Sequence, residues 1–158
     1  MPRRKCIAKR KRQIMPDPKY GNVLLQKFIN KVMLNGKKSI AEKIVYTAIE
    51  KVAKGKKDTP VDLFKTALDN IRPQVMVKST RVGGATYQVP VEVTLENSQT
   101  IAMKWLITFT RKRSEKGMAI KLAAELDEAL NKRGNSFKRR EDTHKMAEAN
   151  KAFAHFKW

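Results

Sequence analysis

The side chains richest in chemistry along this sequence are cations, and they come in groups. Arg3, Arg4, Lys5, Lys9, Arg10, Lys11 and Arg12 crowd the first twelve residues with no carboxylate among them. Further groups stand at Lys37-Lys38, Lys56-Lys57, Arg111-Lys112-Arg113 and Lys138-Arg139-Arg140. A guanidinium offers a phosphate a planar pair of donors, and an ammonium offers a point charge, so repeated groups of both suit a polyanion. Any one group reads equally well as solvated surface. The whole chain does not: 35 Lys+Arg against 15 Asp+Glu give a formal net charge of +20, well beyond what solubility requires.

Anionic membrane is the alternative polyanion, usually met by a basic amphipathic helix or a lipid anchor, and neither signature stands out. No run approaches the roughly 18 apolar residues of a membrane span, and the start Met1-Pro2-Arg3-Arg4-Lys5 lacks the apolar core of a secretory signal. The expectation is a protein without membrane association in a reducing compartment. Cys6 is the single cysteine, and His144 and His155 are the two histidines, so neither a disulfide nor zinc-finger spacing is available. No phosphate-cradling glycine loop precedes a helix, and the histidines lack a partnering nucleophile or carboxylate, so the expectation is no enzyme, no cofactor and no metal.

The elements that would carry these groups are mostly helical. Residues 1–12 repel one another and read as an arm, extended through Pro16-Asp17-Pro18; we divide the chain into an arm and connector at 1–19 and one helical domain at 20–158. From Val23, Leu24, Leu25, Phe28, Ile29, Val32 and Met33 recur at helical spacing until Asn35-Gly36. A second helix buries Ala41, Ile44, Val45, Ala48, Ile49 and Val52, and a third opens at Thr59-Pro60-Val61-Asp62 with a cap, a first-turn proline and a carboxylate. Period two then takes over. Val75 and Val77, and later Tyr87, Val89, Val91 and Val93, flank Gly83-Gly84, whose tolerance of positive φ predicts a tight hairpin over 74–93. Helix returns around Ile101, Ala102, Trp105, Leu106 and Phe109, again from Ala119 to Leu130, stopping at Arg133-Gly134-Asn135, and finally from about Phe137 with a sparse apolar stripe. The fold class is mainly α: a bundle of about six helices with an extended β-hairpin arm between the third and fourth.

A lone hairpin is marginal without support, and part of this one is expected to project towards a partner. Near its tip, Lys78, Ser79, Thr80, Arg81 and Tyr87 can reach phosphates, ribose hydroxyls or bases. For Val75, Val77, Val89 and Val91, packing on the helices is the better reading. Trp105 and Phe109 read as core, and His155, Phe156 and Trp158 as either exposed contacts or a hydrophobic clamp. An arm that orders in the grooves of a folded nucleic acid favours structured RNA over open DNA. A helix-turn-helix regulator would concentrate charge on one recognition helix, whereas here it is spread over many element ends.

Four strings carry a family resemblance: 16–19 (Pro-Asp-Pro-Lys), 35–39 (Asn-Gly-Lys-Lys-Ser), 81–93 from Arg81 to Val93, and 140–158 from Arg140 to Trp158. Together they resemble the bacterial-type small-subunit ribosomal protein seven family. The resemblance implies direct binding to the three-prime major domain of small-subunit rRNA, a start to head assembly, and a position near exit-site tRNA and the mRNA exit path. It implies rRNA contacts from the grouped cations at Arg3, Arg4, Lys5, Lys9, Arg10, Lys11, Arg12, Lys37, Lys38, Arg111, Lys112, Arg113, Lys138, Arg139 and Arg140. The hairpin, with Lys78, Arg81, Gly83, Gly84 and Tyr87, would lie nearest the tRNA, and the C-terminal stretch nearest ribosomal protein eleven. The implied location is a bacterial cytoplasmic ribosome or an organellar one. Thr80 and Asn97-Ser98 depart from arginines common in the family.

Overall fold

The computed structural model describes residues 13–156. Among them run α1 (Val23–Val32), α2 (Lys38–Ala53), α3 (Pro60–Ile71), β1 (Val75–Val82), β2 (Ala85–Glu92), α4 (Leu95–Lys112), α5 (Met118–Leu130), α6 (Gly134–Ala149) and a closing 3-10 turn (Lys151–Phe156). This is the expected helical bundle with a hairpin between the third and fourth helices.

Local chemistry explains the ends. Asn22 Oδ1 accepts from the N–H groups of Leu24 and Leu25 at 2.8 and 3.2 Å, which satisfies two orphan donors at the start of α1. Thr59 Oγ1 does the same for Asp62 N–H at 3.2 Å, with Pro60 in the first turn of α3. Helix α4 begins at Leu95, six residues ahead of the apolar run that announced it. Leu95, Glu96 and Asn97 are exposed, so the first turn shows no periodicity to read, and Ser98 is buried with its hydroxyl donating to Leu95 O. Gly134 opens α6 rather than merely ending α5. At φ 88°, a conformation that L side chains rarely adopt, and with a would-be Cβ 3.1 Å from Glu128 Cβ, glycine suits this close start of α6 against α5.

One apolar cluster joins the first five helices: Leu25, Phe28 and Ile29 meet Val45, Ala48 and Ile49, with Phe64, Leu68 and Ile71, Met103 and Leu106, and Leu122 and Leu126. The Phe28 and Phe64 rings lie 5.0 Å apart at its centre. Trp105 packs partly buried against this cluster, as its spacing predicts. Each fully buried Leu, Ile or Phe contributes about 1.5–3 kcal/mol by leaving water. Helix α6 buries Ser136, Thr143 and Ala147, a narrow stripe that gives it little apolar purchase. Polar bonds hold it instead.

The connector is tied to the body earlier than Tyr20. Asp17 is buried, accepting from the N–H groups of Lys19 and Tyr20 at 3.2 and 3.1 Å and from the Tyr46 hydroxyl of α2. An aspartate that bonds its own backbone two and three residues on forms a turn that Pro16 and Pro18 already favour.

Candidate nucleic-acid interface

The hairpin pairs Val82 with Ala85 across Gly83 and Gly84, whose φ values of 57° and 90° give the predicted two-residue turn. Opposed residues of an antiparallel pair share a face, so Lys78 and Val89, and Thr80 and Tyr87, lie on one side. Ser79 with Gln88, and Arg81 with Thr86, lie on the other. Val89 is fully buried and Tyr87 half-buried, so the first side is the one covered by the C-terminal stretch: α6 packs on β1 and the 3-10 turn on β2. Val75 and Val77 share the opposite side with Pro90 and are only half-buried, so the four valines do not form one packed face. Less of the ribbon projects than its length suggests. Lys78, Arg81, Gly83 and Gly84 are exposed, whereas the Tyr87 ring lies 5.4 Å from that of Phe153, centroid to centroid.

The grouped cations divide into two kinds. Arg3, Arg4, Lys5, Lys9, Arg10, Lys11 and Arg12 lie outside the described residues. Lys37 and Lys38 stand exposed at the start of α2, Lys38 reaching Glu42 at 3.5 Å one turn on. Arg111 and Lys112 are exposed in the last turn of α4, where cations complement the helix dipole, with Lys112 Nζ 5.9 Å from the Phe109 ring. Lys138 and Arg139 are exposed on α6. All six hold their charge towards solvent.

Arg113 and Arg140 belong to the second kind. Arg113 caps α4 and turns inward, its guanidinium meeting Glu125 at 2.7 Å, Glu115 at 3.1 Å and Glu128. Burial pulls the Arg113 pKa down, but the three carboxylates outweigh it and hold the group charged more firmly than a free arginine. Glu125 is 1% exposed and also accepts from the backbone N–H and hydroxyl of Ser136, in the first turn of α6. This cage fastens the end of α4 to α5 and the start of α6. Arg140 donates to Asn70 O at 2.6 Å at the C-terminus of α3 and lies over the Phe137 ring at 4.3 Å. Asn70 in turn donates to Ala129 O at 3.1 Å. Both arginines therefore act as internal crosslinks, with geometry already committed to protein partners. Lys56 is likewise drawn to Asp127 of α5 at 2.6 Å.

Sequence reasoning missed His144 and Asp17. His144 Nε2 accepts the Gln74 N–H at 3.0 Å, at the root of the hairpin. That bond requires a neutral ring with its proton on Nδ1. Burial lowers the His144 pKa, and the Arg140 cation adds to the effect. For His144 no local sequence signal exists, because its partner lies 70 residues away.

Among the described residues no helix is long and apolar enough to cross a membrane, and no group of His, Cys, Asp and Glu could hold a metal ion. A family model described as Ribosomal protein S7p/S5e matches residues 2–151. The chain is 56% identical over 158 residues to the small ribosomal subunit protein uS7 of Halorhodospira halophila, with 100% of both chains covered. It is 59% identical over 148 residues to the protein of the same name from Novosphingobium aromaticivorans, covering 94% of this chain and 95% of that one. The corresponding protein of an Anaeromyxobacter species is 56% identical over 158 residues, again with 100% of each covered. A likeness that runs from end to end and includes the hairpin leaves one assignment, and the chain belongs to the ribosomal protein S7p/S5e family.

Proposed function

We propose that this protein binds the three-prime major domain of small-subunit rRNA directly, starts assembly of the head, and lies beside exit-site tRNA and the mRNA exit path. The coarser statement follows from the family: the chain is a structural constituent of the small ribosomal subunit and not an enzyme. One observation carries the finer reading. Lys37, Lys38, Arg111, Lys112, Lys138 and Arg139 sit at solvent on several elements, while Arg113 alone draws in three carboxylates. Three of the 15 carboxylates are thus drawn to one inward-turned arginine, and among the described residues Lys38 alone of the six outward cations reaches a carboxylate, Glu42, so the outward set suits phosphates. Residues 1–12 add seven more positive side chains to that set. The exposed hairpin positions Lys78, Arg81, Gly83 and Gly84 suit contact with the tRNA, and the C-terminal stretch suits contact with ribosomal protein eleven.

The test is binding of the full chain to a folded head-domain RNA fragment and to duplex DNA of equal length across a salt series. The RNA is expected to bind more tightly, with affinity falling steeply as salt rises. Equal affinity for the two would refute the reading. Deleting residues 1–12 should weaken RNA binding and leave helical circular dichroism intact; a lost helical signal would make the arm part of the fold.

A further inference from the structure

A two-stranded ribbon with eight residues in each strand is marginal in water, so something in the fold must fix its direction. Gln74 precedes β1 and Val93 follows β2. The Gln74 carbonyl accepts the Val93 N–H at 2.9 Å, while the Gln74 N–H donates to His144 Nε2 at 3.0 Å. A single residue therefore joins both ends of the ribbon, and His144 joins that residue to α6. Towards the tip, Tyr87, opposite Thr80, packs on Phe153 of the 3-10 turn. From His144 to Phe153 the helical rise is roughly 14–18 Å, and from Gln74 to Thr80 the strand rise is roughly 20 Å. The two stretches match in length and touch at both ends.

We propose that α6 and the 3-10 turn form a strut that sets the direction of the hairpin, with His144 the positioning residue at the root and Phe153 the one nearer the tip. The strut is itself anchored. Arg140, one turn before His144, donates to Asn70 O and fixes α6 to the end of α3. At the root lies an open cleft of about 400 Å³ lined by Arg72, Gln74, Glu92, Val93, Leu95 and Ser98, which leaves room for the ribbon to swing towards α4. The strut is what opposes that swing. It goes beyond the RNA-binding reading and holds whatever the hairpin touches.

The test uses the full chain with Cys6→Ser and spin labels at Ala85→Cys, beside the turn, and Lys104→Cys, exposed on α4. Pulsed EPR reads the spread of distances, and amide exchange reads the Gln74 N–H. His144→Ala is expected to speed Gln74 exchange about fivefold to tenfold, the factor that losing one ordinary hydrogen bond gives, and to broaden the distances. His144→Gln, whose Oε1 can stand where Nε2 stood, should reverse both changes. Phe153→Ala should broaden the distances and leave Gln74 exchange as it was. Phe153 is half-buried and outside the main apolar cluster, so this variant decides the matter even if His144→Ala fails to fold. Unchanged distances in Phe153→Ala would overturn the strut. Broadening in His144→Ala that His144→Gln does not reverse would remove His144 from it.

Discussion

Arg111 and Arg113 are two residues apart in one basic string, and the structure assigns them opposite work. Replacing Arg113 with Met keeps the aliphatic stem and removes the cation from a carboxylate, Glu125, that is 1% exposed. Breaking a buried ion pair from one side costs about 3–5 kcal/mol, because the remaining charge stays out of water. Here the lower end applies, since the Ser136 N–H at 3.1 Å and the Ser136 hydroxyl still serve Glu125. The exposed partner Glu128 adds little. A loss of about 3 kcal/mol, with a urea slope of about 2 kcal/mol/M, lowers the unfolding midpoint by about 1.5 M. Adding Glu125→Gln removes the orphan charge and keeps an acceptor for Ser136, so the double variant is expected to be more stable than Arg113→Met alone. Arg111→Met should leave the midpoint within about 0.3 M, weaken RNA binding and reduce the salt slope by about one. A midpoint for Arg113→Met as unmoved as that of Arg111→Met, or a double variant less stable than the single, would refute the cage.

Four further outcomes follow from three named contacts. Thr59→Ala removes the cap of α3 and should cost about 1 kcal/mol in urea unfolding, with little change in RNA affinity. Tyr46→Phe leaves one oxygen of buried Asp17 unpaired and should cost about 1–3 kcal/mol; in the parent chain, alkaline titration should find Tyr46 protonated well above the ordinary tyrosine value of about 10, because burial raises its pKa and Asp17 raises it further. The folded pKa of His144 is depressed, so its contribution is fully present above the ordinary value of about 6.5 and is lost as pH falls through the lower folded value. Gln74 amide exchange, corrected for its intrinsic pH dependence, should therefore rise on acidification below that value in the parent chain and stay flat in His144→Gln.

What the sequence made legible was the part that repeats or turns locally. The stripes of α1, α2, α3 and α5 each face one core, so their periods survive in a single string, and Gly83-Gly84 and Thr59-Pro60 announce their own backbone geometry. The first turn of α4 was not legible, because no core lies against Leu95 to Asn97. His144 was hidden for another reason: its partner is a backbone N–H 70 residues distant, which no local spacing encodes. The cations expose the deeper limit. A helix advances about 100° per residue, so consecutive basic side chains at the end of α4 point in different directions, and the string Arg-Lys-Arg records none of them. Arg113 sits at the cap, where the turn towards α5 carries it against Glu125, while Arg111 and Lys112 stay outside. Arg140 is separated from exposed Arg139 in the same way, by one step around α6. Composition therefore fixes how much positive charge the chain presents, but the rotation of each helix end decides which cations remain for a polyanion and which have been spent on joining α3, α4, α5 and α6.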